Sequence, residues 1–295
     1  MKGVKIERKR KMERSKRNAL YISGLDGTLL NNKSQLSEYA CYELNKLIQN
    51  GLLFTIATAR SIFSIQHIFQ GLSLKLPIIE FGGAFITDLQ TGYHHKILDI
   101  EASTSESLYY LLTQNSVSPL VTSFNGTEDS LYYENISNEG VNWYIINRER
   151  EKDMRLRRSQ IKKVLNEQVI CFTVIDRYTR LKELSEKILD KYSNELLIHL
   201  KENPFSKGWF WLTILDKKAT REHAIRWLMN ELGVDSKELT IFGSKTSDLD
   251  TFKMSKNRIA VSNANPKLKE FATEIIGTND EDGVVKYIKE HERDL

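Results

Sequence analysis

The sequence predicts an α/β protein, a parallel sheet covered by helices, interrupted by an inserted α+β domain. Three observations carry that prediction. Short apolar runs alternate with amphipathic helical stretches at the start of the chain. From about 88 to 215 the strand-like runs become frequent and irregularly spaced. After 216 the strand and helix alternation resumes, the pattern of a sheet buried on both faces. The 295 residues, 40% hydrophobic and 28% charged, suffice for two domains and have the composition of a folded soluble protein.

Met1 to Arg17 carries nine Lys or Arg against Glu7 and Glu13, a net of +7, so the remaining chain is slightly acidic although the whole is +4. Such an arm can bind nucleic acid or an acidic surface through counterion release. It lacks interleaved aromatics and a helix-turn-helix context, so a solvated extension is expected and a nucleic-acid partner is disfavoured. No apolar run reaches the ~18 residues of a membrane span, and no uninterrupted apolar segment follows the basic start. Membrane insertion and secretion are therefore not expected, and the expected location is cytoplasmic. Cys41 and Cys171 stand far apart without ligand spacing, so each is expected to be a buried thiol.

Ala19 to Ser23 reads as a buried strand ending in the turn-forming Gly24-Leu25-Asp26-Gly27-Thr28. Ser37 to Gln49 follows as a helix, with Ser37 as N-cap, Ala40, Leu44, Leu47 and Ile48 on one side, and Gly51 as the stop. Leu52 to Ala57 is a second strand, closed by Thr58-Ala59-Arg60, and a helix is expected over 61–72. A third strand near Pro77 to Glu80 leads into Phe81-Gly82-Gly83-Ala84.

The inserted region offers strands at Leu120 to Phe124, Leu131 to Tyr133, Val169 to Ile175, Leu196 to Leu200 and Trp209 to Leu215. Helices are expected at Thr104 to Gln114 and Arg180 to Tyr192. Its aromatics (Tyr132, Tyr133, Trp143, Tyr144, Trp209, Phe210, Trp211) suit either the lining of a ligand cleft or, as alternating strand positions favour, a core, and Arg148 to Arg158 reads as a charged, solvated face. Thr220 to Leu232 is then a strong amphipathic helix stopped by Gly233, and Glu238 to Phe242 a buried strand opening into Gly243-Ser244-Lys245-Thr246-Ser247-Asp248.

Three polar loops thus follow buried strands, and open parallel sheets bind ligands outside the carboxyl ends of their strands. The series Gly24-Leu25-Asp26-Gly27-Thr28, Thr58-Ala59-Arg60, Gly243 to Asp248, Ile259 to Ala264 and Asp282-Gly283-Val284 resembles the haloacid dehalogenase superfamily, Cof type, over about nine tenths of the chain. The resemblance implies a Rossmann-like core at 18–87 and 216–295, an α+β cap at 88–215 and a basic arm at 1–17. It also implies a phosphatase chemistry in which an Asp attacks a phosphate monoester and a second Asp two residues on serves as acid and base. Mg²⁺ between carboxylates neutralises charge there, and a Thr or Ser and a Lys hold the phosphoryl oxygens.

Mapping that pattern exposes departures. The family reads Asp-x-Asp-Gly-Thr, and here the nucleophile position is Gly24; the second acid is kept as Asp26. The family's Gly-Asp-x-x-Asn-Asp has Ser244 in place of a metal-binding Asp and Ser247 in place of Asn, with Asp248 retained. The Lys of the late helix is Arg221, and the Asn after the third strand is Gly82. A glycine cannot form the acyl-phosphate, and with two carboxylates gone no tight Mg²⁺ site and no other cofactor are expected.

The expected residual site is Asp26 with a ligand-binding set of Thr28, Thr58, Arg60, Arg221, Lys245 and Asp248. Its guanidinium and ammonium groups suit an anionic ligand. Pairing of Arg221 with Asp248 as a plain structural tie is the competing reading for that arginine. Ser23 is expected to project away from residue 24, and neither Ser23 nor Ser244 has a His nearby in sequence to activate it. His67, His94, His95, His199, His223 and His291 show no metal-ligand spacing; His223 lies nearest the site in sequence. Three functions fit these residues. The first is an impaired phosphatase binding a phosphorylated or anionic small molecule or a protein partner. The second is an enzyme of altered, metal-independent chemistry with Asp26 as acid or base. The third is a binder of nucleic acid or an acidic partner through the arm.

Overall fold

The computed structural model describes residues 19–203 and 206–292, so the basic arm lies outside the described residues. Five strands come first: β1 Leu20–Gly24, β2 Leu53–Ala57, β3 Ile78–Glu80, β4 Phe85–Thr87 and β5 His94–Ile97. Six follow in the inserted region: β6 Leu120–Phe124, β7 Asp129–Tyr133, β8 Leu156–Arg158, β9 Gln168–Asp176, β10 Leu196–Glu202 and β11 Phe210–Asp216. The last are β12 Leu239–Gly243, β13 Asn257–Val261 and β14 Glu274–Ile276.

The chain divides into two compact units, one running to Lys96 and resuming at Thr220, the other Ile97–Ala219. Both boundaries fall later than the expected 87/88 and 215/216. The first moves because β4 and β5 extend the sheet beyond β3. The second moves because the chain after β11 stays hydrogen-bonded to the inserted unit, Lys217 N to Glu195 O at 2.8 Å and Ala219 N to Asp216 O at 3.0 Å.

The first unit is an eight-stranded sheet in the order β14-β13-β12-β1-β2-β3-β4-β5. β1 pairs in parallel with β12 on one side and with β2 on the other, Leu20 standing opposite both Leu239 and Leu53. Four of the five β1 residues are buried, as a central strand covered on both faces requires. The helix Glu38–Gln49 starts where Ser37 Oγ accepts from Ala40 N at 2.9 Å and buries Ala40, Leu44, Leu47 and Ile48. Each of the larger of these contributes about 1.5–3 kcal/mol by leaving water. The helix Arg221–Leu232 is capped by Thr220 and ends at Gly233, whose φ of 66° is the left-handed turn that stops a helix.

The expected helix over 61–72 is a correction: only Ile62–Ile65 is helical. The segment after it is drawn into turns by the Asn45 side chain, which donates to Gly71 O at 2.6 Å and accepts from Ser73 N at 2.8 Å. Those turns bury Phe69, Leu72, Leu74 and Leu76, so the apolar residues reach the core without helical periodicity. Cys171 is buried as expected, but Cys41 is partly exposed.

The second unit is a six-stranded sheet in the order β10-β11-β9-β6-β7-β8, antiparallel except for β7 with β8. Alternation along β11 sends Phe210, Leu212 and Ile214 to a core built with the helices Ala102–Gln114 and Tyr178–Tyr192. Trp211 goes to the opposite face, where Val141 and Ile145 of the helix Glu139–Arg150 pack. That helix escaped the sequence reading, and the charged stretch 148–158 is not simply solvated. Asp153, only 6% exposed, takes two hydrogen bonds from the Arg155 guanidinium at 2.9 and 2.7 Å, with Arg148 3.7 Å away. Among the described residues no helix is long and apolar enough to cross a membrane.

Candidate functional site

The site is built in the first unit, where β12, β1 and β2 lie side by side and run in parallel, so their carboxyl ends share one edge. From β1 the chain proceeds outward through β2 and β3, whereas β12 and its successors fill the other flank. Such a reversal of strand order is where open α/β sheets place their ligands.

At the tip of β1 the loop folds onto a single acceptor: Leu25 O receives the amides of Thr28, Leu29 and Leu30 at 3.2, 3.0 and 3.1 Å. Gly27 makes the turn with φ of 75°. Thr28, 1% exposed, is thereby turned inward, and its hydroxyl donates to Ser244 Oγ at 2.8 Å. Ser244 in turn reaches Asp26 O at 3.4 Å. Gly24 has no backbone need to be glycine, since its φ lies outside the left-handed region. A Cβ there would stand 3.1 Å from Thr28 Oγ1 and 3.6 Å from Phe242 O, tight but relieved by a small shift of the hydroxyl. The missing side chain at 24 is therefore a chemical absence and not a requirement of the fold.

Asp26 is held by Arg60 from the tip of β2. Arg60 Nε donates to one carboxylate oxygen at 3.0 Å and Nη2 to the other, and both side chains are about one-third exposed. Arg60 is aimed by its own loop, in which Thr58 Oγ1 accepts from Arg60 N at 3.1 Å and Thr58 O from Gly82 N at 2.9 Å. For Asp26 to serve as an acid or base, one of its oxygens must leave the guanidinium.

At the tip of β12, Asp248 is 5% exposed. One oxygen accepts from Ser244 N and Lys245 N, each at 2.9 Å, and the other from Arg221 Nη1 at 2.5 Å. The second arm of Arg221 donates to Ser247 Oγ at 3.3 Å. Arg221 is thus committed to its own loop at both ends. Its helix is brought there by Gly83, where a Cβ would sit 2.2 Å from Thr220 O, so only glycine admits this approach.

Of the expected residues, the structure joins Gly24, Asp26, Thr28, Ser244, Asp248, Arg221 and Ser247 in adjoining hydrogen-bonded loops, with Thr58, Arg60 and Gly82 attached through Asp26. Lys245 contributes its amide to Asp248 while its side chain is exposed, and the His223 side chain is exposed with its amide on Thr220 Oγ1. Ser23 is fully buried, its hydroxyl on Gly24 O at 2.8 Å. One group escaped the sequence reading: Glu80, fully buried, accepts from Ile62 N and from Thr87 Oγ1. The signal was available, since Glu80 is an acid within the apolar run Pro77-Ile78-Ile79.

A model of the haloacid dehalogenase-like hydrolase family matches residues 21–288. The chain belongs to this family. It is 27% identical to the 5-amino-6-(5-phospho-D-ribitylamino)uracil phosphatase YwtE of Bacillus subtilis, over 90% of this chain and 94% of that one. It is 26% identical to Phosphatase YwpJ of the same organism, over 90% of this chain and 96% of that one. These relatives place it with the Cof-type members. A haloacid dehalogenase-like hydrolase from Bacteroides thetaiotaomicron has the same fold at a TM-score of 0.74 and 19% identity, covering 94% of this chain and all of that one. The α/β core with an inserted α+β unit is the family's architecture.

Proposed function

We propose that the site at these strand tips binds a phosphorylated or carboxylated small molecule without a metal ion, and that phosphate-ester hydrolysis of the family's kind is impaired in this chain. The observation that carries the reading is the pair Gly24 and Ser244, which leaves the tips of β1 and β12 without a carboxylate where the family's motif has one at each. The two acids that remain, Asp26 and Asp248, are each engaged by an arginine.

Mg²⁺ takes near-octahedral oxygen donors, normally with one or two free carboxylates. Here both oxygens of Asp26 face a guanidinium, and Asp248 is filled by Arg221 and two amides. Among the described residues no three His, Cys, Asp or Glu side chains gather into a metal-binding group. The donor set does not fit the ion, and the mechanism has no step through it. Anion recognition falls instead to the exposed Lys245 ammonium and the Thr58 hydroxyl, with Arg60 open to exchange part of its hold on Asp26 for a ligand oxygen, while the buried Thr28 hydroxyl is already given to Ser244.

YwtE and the B. subtilis protein YitU are both named for a substrate carrying a ribityl phosphate. A ribityl phosphate is therefore the first ligand to try, beside inorganic phosphate and a simple carboxylate. Calorimetric titration in EDTA should show binding that Lys245→Ala weakens about tenfold, the worth of one charge-assisted hydrogen bond. Binding that appears only on addition of Mg²⁺ would contradict the reading. Turnover in EDTA that stops in Asp26→Asn would replace it with metal-independent catalysis.

A further inference from the structure

We propose that Glu80 is a positioning residue for the Arg60–Asp26 pair, and that Thr87 and His94 anchor it from the hairpin through which the chain enters the second unit. Glu80, Thr87 and the His94 side chain are at least nine-tenths buried. Glu80 lies at the end of β3, and one of its oxygens accepts from Ile62 N, the first amide of the short helix Ile62–Ile65. Two neighbouring bonds act in the same direction: Phe81 N donates to Arg60 O at 3.2 Å and Gly82 N to Thr58 O at 2.9 Å. The stretch 58–62 is thus fastened to 80–82 at three points that bracket Arg60, with Phe81 and Gly82 at positive φ of 48° and 68° to present those amides. Of the three, only the Glu80 contact is made by a side chain.

The other Glu80 oxygen accepts from Thr87 Oγ1 at 2.5 Å, and Thr87 Oγ1 stands 2.8 Å from His94 Nδ1. A hydroxyl has one hydrogen. Because Thr87 gives it to Glu80, His94 must donate through Nδ1, and the relay runs His94 to Thr87 to Glu80. Stacking of His94 on Phe85, with ring centres 4.2 Å apart, holds the plane of the imidazole beside Thr87.

The relay makes a prediction that packing alone does not. In Glu80→Gln the amide oxygen must face Ile62 N, the amide nitrogen then donates to Thr87, and Thr87 passes its hydrogen to His94 Nδ1. Nδ1 of the imidazole therefore changes from donor to acceptor.

The test is NMR on the full chain. Nitrogen shifts of His94 report the tautomer, and solvent exchange of the Arg60 Nε proton, assigned by its loss in Arg60→Lys, reports the Asp26 pair. Glu80→Ala should speed that exchange about tenfold and Thr87→Val about threefold, as loss of a buried hydrogen bond raises the population of the open loop. Glu80→Gln, which keeps the Ile62 acceptor, should restore most of the protection while turning His94 Nδ1 into an acceptor. Should Glu80→Ala not fold, Thr87→Val and Glu80→Gln carry the test. Arg60 exchange unchanged in the folded variants that remove a contact, or a native His94 protonated at Nε2 alone, overturns the assignment. The role is independent of any ligand: native exchange in these variants ends it without touching anion binding, and a protein that binds no anion leaves it standing.

Discussion

Asp26 and Asp248 stand at neighbouring strand tips, each paired with an arginine, yet they are differently built. Asp248 has side-chain exposure of 7%, its arginine 17%, and it also closes two backbone amides of its own loop. The Asp26 and Arg60 side chains are exposed to 30% and 32% and, among the described residues, hydrogen-bond to each other. The difference teaches that similar ion pairs at one edge of a sheet are not equivalent: the β12 pair is locked into its own loop, and the β1 pair is the one that, under the proposed function, a ligand would open.

The sharpest way to break that comparison is Asp248→Ala. It strands a buried guanidinium and the amides of Ser244 and Lys245, and should cost about 3 kcal/mol or more, read as a lowered midpoint in urea with an unchanged slope. Next is Asp26→Asn, which keeps the shape and removes a charge about one-third exposed. It should cost about 1 kcal/mol or less while changing anion affinity. If the two variants proved equally destabilising, the division of roles would be wrong.

A smaller effect concerns a turn away from the site. The Asp88 carboxyl is held below the ordinary carboxylate value: burial acts to raise it but is outweighed by hydrogen bonds from the Thr91 amide and hydroxyl and the Gln90 amide. A carboxyl lowered on folding contributes its stability in full above its unfolded value of about 3.9 and loses it as pH falls through the folded value. Melts at pH 5 and pH 3 should therefore differ slightly less for Asp88→Asn than for the native chain.

Much of the first unit was legible because its strands are buried on both faces and end in turn-forming loops. Ser37, Thr220 and Gly233 signalled helix ends that the structure keeps. The stretch 61–72 misled because its apolar spacing suits a helix, while the decisive contact comes from Asn45, distant in sequence. The helix Glu139–Arg150 was hidden by a weak apolar stripe, with Val141 and Ile145 its buried large residues. At the site, motif order located the loops, but the sequence did not indicate that Arg60 would grip Asp26 or that Glu80 would reach Ile62. Both are tertiary contacts without a local signature.

The measurement that tests the central claim most directly is hydrolysis of an aryl phosphate, with and without Mg²⁺, by the native chain and by Gly24→Asp/Ser244→Asp. The backbone at Gly24 admits a side chain, and the Thr28 hydroxyl, 3.1 Å from where its Cβ would stand, must give by a few tenths of an ångström. The account predicts a silent native protein and Mg²⁺-dependent turnover in the double variant. Mg²⁺-dependent turnover by the native chain, abolished in Asp26→Asn, would contradict it.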